Sequence, residues 1–129
     1  MSTAQGHSSF GQRVVLCIDD DQDVLGVLRD FLTTFGYRIV TATDPEEVFK
    51  LLLNTHIDAV ITDYHIGQVT SEEVVLSLRT LMPNIPIVIF SGTDGLPEVL
   101  LSRADAAVRK TEISMLLPEL ARLLKDRSE

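Results

Sequence analysis

Val14-Val15-Leu16-Cys17-Ile18-Asp19-Asp20-Asp21 is the stretch that decides how this chain reads. A short apolar run rich in β-branched residues fits a strand covered on both faces. The aspartates follow at once, so the strand ends by delivering carboxylates. Beyond them Val24, Leu28, Phe31, Leu32 and Phe35 recur at helical spacing, and Gly36 is the natural stop. Asp21 is the best N-cap for that helix. Strand, acidic turn and helix make one β-α unit, and the chain repeats that arrangement to its end.

The second strand is Tyr37 to Ala42. Asp44-Pro45-Glu46-Glu47 then supplies a cap, a first-turn proline and acids at a helix N-terminus, with Val48, Leu51 and Leu52 as the buried face. The third strand is Asp58 to Asp63. Thr70 and Glu73 have the spacing of a capping box for a helix carrying Val74, Leu78 and Leu81, and Pro83 closes it. The fourth strand, Pro86 to Ser91, is apolar from Ile87 to Phe90. A short helix from Leu96 to Arg103 precedes a weak edge strand, Ala106 to Arg109. The last helix runs from Ser114 to Arg127, with Leu116, Leu120, Leu123 and Leu124 inward and Pro118 in or near its first turn. Such alternation predicts an α/β fold: a five-stranded parallel sheet, order 2-1-3-4-5, doubly wound by helices.

The 129 residues suffice for one domain. Hydrophobic residues make up 45% and charged residues 23%, a globular composition. Residues 1–12 are small and polar, without the order of a signal peptide, and are expected to form a flexible tail ahead of a domain at 13–127. No apolar run reaches the length of a membrane span. A net charge of -8 argues against direct nucleic-acid binding. The single cysteine, Cys17, reads as a core thiol and points to a reducing cytoplasm. His7, His56 and His65 make no zinc-ligand spacing with it.

In open α/β sheets, ligands bind beyond the carboxyl ends of the strands, at the switch point. There the sequence puts Asp19, Asp20 and Asp21 after strand one, Asp63 after strand three, Ser91 after strand four and Lys110 after strand five. Two carboxylates about 4 Å apart repel by roughly 4 kcal/mol at an effective dielectric of ~20. Either one takes up a proton or a cation enters. Oxygen-only ligands favour Mg²⁺. A carboxylate beside such a metal can attack phosphorus and form an aspartyl phosphate, with Lys110 supplying charge and Ser91 a hydroxyl donor. Taken singly, Lys110 would be a solvated loop lysine and Ser91 a helix cap; together, at the ends of adjacent strands, they favour function.

These residues resemble the response-regulator receiver domain, the phosphoacceptor module of two-component signalling. Asp19-Asp20 is similar to the family's metal-binding pair. Asp58-Ala59-Val60-Ile61-Thr62-Asp63 is similar to its acceptor strand, Ile87 to Gly92 to the strand ending in the switch hydroxyl, and Ala104 to Lys110 to the segment before its lysine. The resemblance spans about Arg13 to Lys125. It implies a flavodoxin-like (βα)5 fold, with phosphorylation at Asp63. It implies Mg²⁺ (or Mn²⁺) held by Asp20, Asp63 and the backbone carbonyl of His65, with Asp19 acting through water. It implies Ser91 and Lys110 at the phosphoryl group, with Asp63 and Lys110 as the catalytic pair. A histidine kinase or histidine phosphotransfer protein would be the donor, an output partner the sequence does not name would be the reader, and the protein would be no turnover enzyme.

The chain also departs from the family pattern. Ile66-Gly67 and Thr70-Ser71 stand where Met-Pro and Asp-Gly are usual, so the loop from Ile66 to Ser71 is expected to be mobile. Thr111 follows the lysine in place of proline, so a trans bond is the default. Ala107 stands where the switch aromatic is usual. Two other readings compete. A binding module could keep this fold without phosphorylation. A phosphatase of the haloacid-dehalogenase type could use Asp19 as nucleophile and Asp21 as acid/base, but that leaves Asp63 without a role.

Overall fold

A computed structural model describes residues 12–125. The polar segment before Gln12 and the expected end of the last helix, Asp126 and Arg127, lie outside the described residues. The elements are β1 (Val14–Ile18), α1 (Gln22–Thr34), β2 (Arg38–Ala42), α2 (Pro45–Asn54) and β3 (Ala59–Thr62). Next come β4 (His65–Ile66), β5 (Val69–Thr70), α3 (Ser71–Leu81), β6 (Ile87–Ser91), α4 (Glu98–Arg103) and β7 (Ala106–Arg109). A 3₁₀ helix (Lys110–Met115) leads into α5 (Leu116–Lys125).

The main sheet has the order β2-β1-β3-β6-β7, every pair parallel. Counted along this sheet alone, that is the expected 2-1-3-4-5. The period-two alternation of each strand divides the core into two layers. Val14, Leu16 and Ile18 pack with Val48, Val74, Val75, Leu78 and Leu100 from α2, α3 and α4. Val15 and Cys17 face the other way, onto Leu25, Leu28 and Leu32 of α1 and Leu116, Leu120 and Leu124 of α5. Both faces are covered, which is why the strands read as unbroken apolar runs. Cys17 is fully buried, and burial pushes its thiol up to about 12, as suits an inert core residue.

Helix starts follow the sequence closely. The Asp21 carboxylate accepts the N–H groups of Asp23 and Val24, and Asp44 accepts that of Glu47 with Pro45 in the first turn. Several expectations need correction. Thr70 stands at the N-cap of α3, but its side chain makes no cap hydrogen bond and no capping box forms with Glu73. Thr70 instead ends β5, paired with His65, and strand geometry sets its direction. Phe35 is 55% exposed because it is the C-cap residue and has left the helical row; Leu25 joins Leu28 and Leu32 in the core. Leu81, the last residue of α3, is 63% exposed, and Val75 takes its expected place. The last helix begins as a 3₁₀ turn, and α5 proper starts only at Leu116. The short fourth helix begins at Glu98 and not at Leu96.

The segment after Asp63 is not an unpaired loop. β4 and β5 form an antiparallel hairpin joined by Gly67 and Gln68, with Ile66 in the core. Gly67 has φ 62°, which suits the first central position of a type II′ turn. At the other end of α3, the Arg79 guanidinium donates to the carbonyls of Ile85 (2.6 Å) and Arg103 (2.8 Å) and to the Asp105 carboxylate (2.7 Å). That fork ties α3 to the segments leading into β6 and β7, a task its five fixed donors suit.

The burial difference within α3 gives a test. Leu78→Ala should destabilise the protein by about 2–5 kcal/mol, since the side chain is fully buried and leaves a cavity. Leu81→Ala should stay within about 0.5 kcal/mol. Equal losses in urea unfolding would contradict this helix orientation.

Candidate functional site

Asp19 lies just past β1, where its N–H donates to the carbonyl of Ala42 at 3.1 Å. Its carboxylate is buried. Oδ1 accepts the N–H of Asp21 at 2.9 Å, and Oδ2 lies 2.9 Å from Lys110 Nζ. Asp63 lies just past β3, with its N–H donated to the carbonyl of Ile18 at 2.9 Å. Its Oδ1 accepts the N–H of Tyr64 at 2.8 Å, and its Oδ2 lies 3.3 Å from Lys110 Nζ. Asp20 is exposed, and its Oδ2 accepts the N–H of Gly67 at 3.1 Å. Asp19, Asp20 and Asp63 each offer one oxygen, all within 4.8 Å of one another. The sheet order explains the convergence: β1 and β3 are neighbours, and the strand that delivers Lys110, β7, lies beyond β6 on the same side.

Burial raises the pKa of Asp19 above the ordinary 3.8, and the Asp63 charge adds to the rise; the hydrogen bonds from Lys110 and the Asp21 amide oppose it. Burial works against the charge on Lys110 too. The hydrogen bond to Asp19 and the charges of Asp63 and Asp19 outweigh it, so the ammonium pKa rises above 10.5. Lys110 thus acts as an internal counter-ion. With oxygen donors alone, the cluster suits a hard divalent cation.

Ser91 ends β6, opposite Arg109 of β7. It is buried, and its Oγ accepts the N–H of Thr93 at 3.0 Å. A Cβ on Gly92 would lie 4.0 Å from Lys110 Cδ, so the lysine stem passes close by. The exposed ring of His65 packs edge-on against Tyr64, with centroids 4.6 Å apart. In the hairpin, Ser71 donates to the carbonyl of Tyr64, so the hydrogen-bonded pairs are Tyr64 with Ser71 and, by alternation, Ile66 with Val69. The carbonyl of His65 therefore points away from β5. Asp21, wanted as an acid/base by the phosphatase reading, is committed to capping α1. Sequence reasoning missed the amides of Tyr64 and Gly67, since a backbone donor leaves no residue-type signal. The Gly67-Gln68 pair between Ile66 and Val69 did carry a hairpin signal.

The response regulator receiver domain model matches residues 15–113. The chain belongs to that family. Among curated relatives of this receiver domain, the transcriptional regulatory protein GlrR of Escherichia coli is 27% identical over 86 residues, covering 67% of this chain and 19% of that protein. The regulatory protein VirG of Agrobacterium fabrum is 31% identical over 78 residues, 60% of this chain and 30% of VirG. The chain thus spans about a fifth to a third of the length of these relatives. Among solved structures, the response regulator TrrA of Thermotoga maritima, in complex with Mg²⁺-BeF, superposes with a TM-score of 0.80 at 26% identity, covering 88% of this chain and all of that one. The signal receiver domain of an HD-domain protein from Pseudomonas fluorescens gives 0.82 at 20% identity, covering 92% and 99%. Receiver domains of response regulators are signalling domains. Among the described residues, no helix is long and apolar enough to cross a membrane. Ala107 lines a cavity of about 200 Å³ with Ser91, Leu96 and Leu101.

Lys110→Met removes the counter-ion and leaves Asp19 buried and unpaired. In metal-free buffer at pH 8 the loss should be about 2 kcal/mol, below the usual range for a fully buried pair because Lys110 is partly exposed. The sign of the pH dependence follows from Asp19. A raised carboxyl pKa contributes stability that is complete below the ordinary value of 3.8 and is lost as pH rises through the raised folded value. Removing the ammonium raises that folded value further, so the deficit should shrink as pH falls toward 4. Melting curves across this range check it; a deficit independent of pH would contradict the pairing.

Proposed function

We propose that this receiver domain accepts a phosphoryl group on Asp63 and signals through the resulting change of state. The observation that carries the reading is Lys110 Nζ lying between the carboxylates of Asp19 and Asp63, beside the exposed Asp20. In the proposed reaction a carboxylate oxygen of Asp63 attacks the phosphorus of a phosphohistidine. The P–N bond breaks, the imidazole leaves with the electron pair, and an acyl phosphate forms on Asp63. The donor is a histidine kinase or a histidine phosphotransfer protein.

The donor set fits Mg²⁺ or Mn²⁺: three clustered carboxylates, with the His65 carbonyl turned away from its hairpin partner. Asp20, Asp63 and that carbonyl would hold the ion, with Asp19 acting through water. When bound, it would supply positive charge against the negative charge spread over the transferred group. Lys110 would hold the phosphoryl oxygens, and Ser91 would donate its hydroxyl proton to one of them. Likeness to TrrA, solved with Mg²⁺-BeF, supports the same assignment. The proposed unit spans 13–127 and performs no turnover chemistry.

Incubation with acetyl phosphate and Mg²⁺ should add one phosphoryl mass, read by intact mass spectrometry. Asp63→Asn should gain none. Labelling that persists in that variant would overturn the assignment, and a parent that never labels would favour a phosphorylation-independent module.

A further inference from the structure

The contact between Gly67 and Asp20 joins two parts of the chain 47 residues apart. Asp20 is exposed and forms no ion pair among the described residues, so without another partner its side chain would sample several rotamers. The Gly67 N–H instead holds one carboxylate oxygen at 3.1 Å. That donor is available for a structural reason. In a two-residue hairpin turn the N–H of the first central residue takes no part in the ladder. Gly67 occupies that position with φ 62°, behind a hairpin anchored by buried Ile66 and by the Ser71 N–H to Tyr64 carbonyl bond at 2.7 Å. A proline at this position would have no N–H to give.

We propose that the Gly67 amide is a positioning group for Asp20, so that the β4–β5 hairpin sets the cation affinity of the acidic cluster. The amide fixes the Asp20 carboxylate while one of its oxygens lies within 4.8 Å of oxygens of Asp19 and Asp63, and a ligand oriented in advance loses less freedom when an ion binds. The coupling is reciprocal: a cation that fixes Asp20 also protects the hairpin. The inference rests on the proposed use of the cluster as a cation site, but its structural half can be tested without any cation.

The test compares Gly67→Ala with Gly67→Pro. Alanine keeps the donor and can hold the positive φ under strain, whereas proline, locked near a φ of about −65°, removes the donor and also breaks the turn that aims it. Mg²⁺ titration by calorimetry should show about a 10-fold or greater loss of affinity for Gly67→Pro, and a loss of at most about 3-fold for Gly67→Ala. Equal affinities in the two variants would overturn the proposal. A second measurement covers a proline variant that does not fold. In EDTA, Asp20→Ala should speed amide hydrogen exchange at Gly67 and its hairpin neighbours relative to the parent, because the Gly67 N–H has lost its acceptor. Unchanged exchange there would also overturn it. A parent that binds no Mg²⁺ would defeat the proposed function while leaving the exchange result to decide the hairpin contact.

Discussion

Mutual repulsion among Asp19, Asp20 and Asp63 is the constraint around which this site is arranged. Their oxygens lie within 4.8 Å of one another, and one of the carboxylates, Asp19, is buried. At such separations the repulsion is several kcal/mol at an effective dielectric of ~20. The fold tolerates it because each carboxylate has a donor of its own. Asp19 has Lys110 and the Asp21 amide, Asp63 has Lys110 and the Tyr64 amide, and Asp20 has the Gly67 amide. One mobile charge and three fixed backbone dipoles offset what the sheet topology forces together. Added positive charge would relieve the repulsion that remains.

The backbone keeps these donors in place. Parallel pairing of β1 with β3 aligns Ile18 with Thr62, which puts Asp19 and Asp63 at one height. The Asp63 N–H bonded to the Ile18 carbonyl locks that register. Sliding the strands by one residue would turn the apolar sets of both layers to the wrong faces, so the hydrophobic core holds the carboxylates together against their repulsion. The geometry of the carboxylate cluster and core packing are therefore the same constraint seen from two ends of the strand.

The parts legible in the sequence were those carried by local pattern. Asp21 and Asp44 announce their helices by type and position, and the apolar runs from Val14 and from Ile87 announce covered strands. The site was legible because β-α topology puts every strand end on one edge, so Asp19, Asp63 and Lys110 could be placed together without coordinates. What escaped was non-local or lacked a side chain. No sequence window contains both Arg79 and Asp105, whose ion pair bridges α3 and the start of β7. The Tyr64 and Gly67 amides are donors in every residue's backbone, and only the turn aims them. Phe35 and Leu81 fit the helical period, yet each sits at a helix end where the period no longer dictates burial.

Ala107 stands apart from the carboxylate cluster. Asp19, Asp63 and Lys110 follow the ends of β1, β3 and β7 and Ser91 ends β6, whereas Ala107 lies within β7 and lines open space beside Ser91. The most direct test of the charge account is the melting temperature of Asp20→Asn in EDTA and in Mg²⁺. The amide oxygen can still accept from Gly67, so the change removes charge while leaving that contact available. The account predicts a higher melting temperature than the parent without metal, and a smaller gain on adding Mg²⁺ at matched ionic strength. An Asp20→Asn protein that melts at or below the parent in EDTA would contradict it.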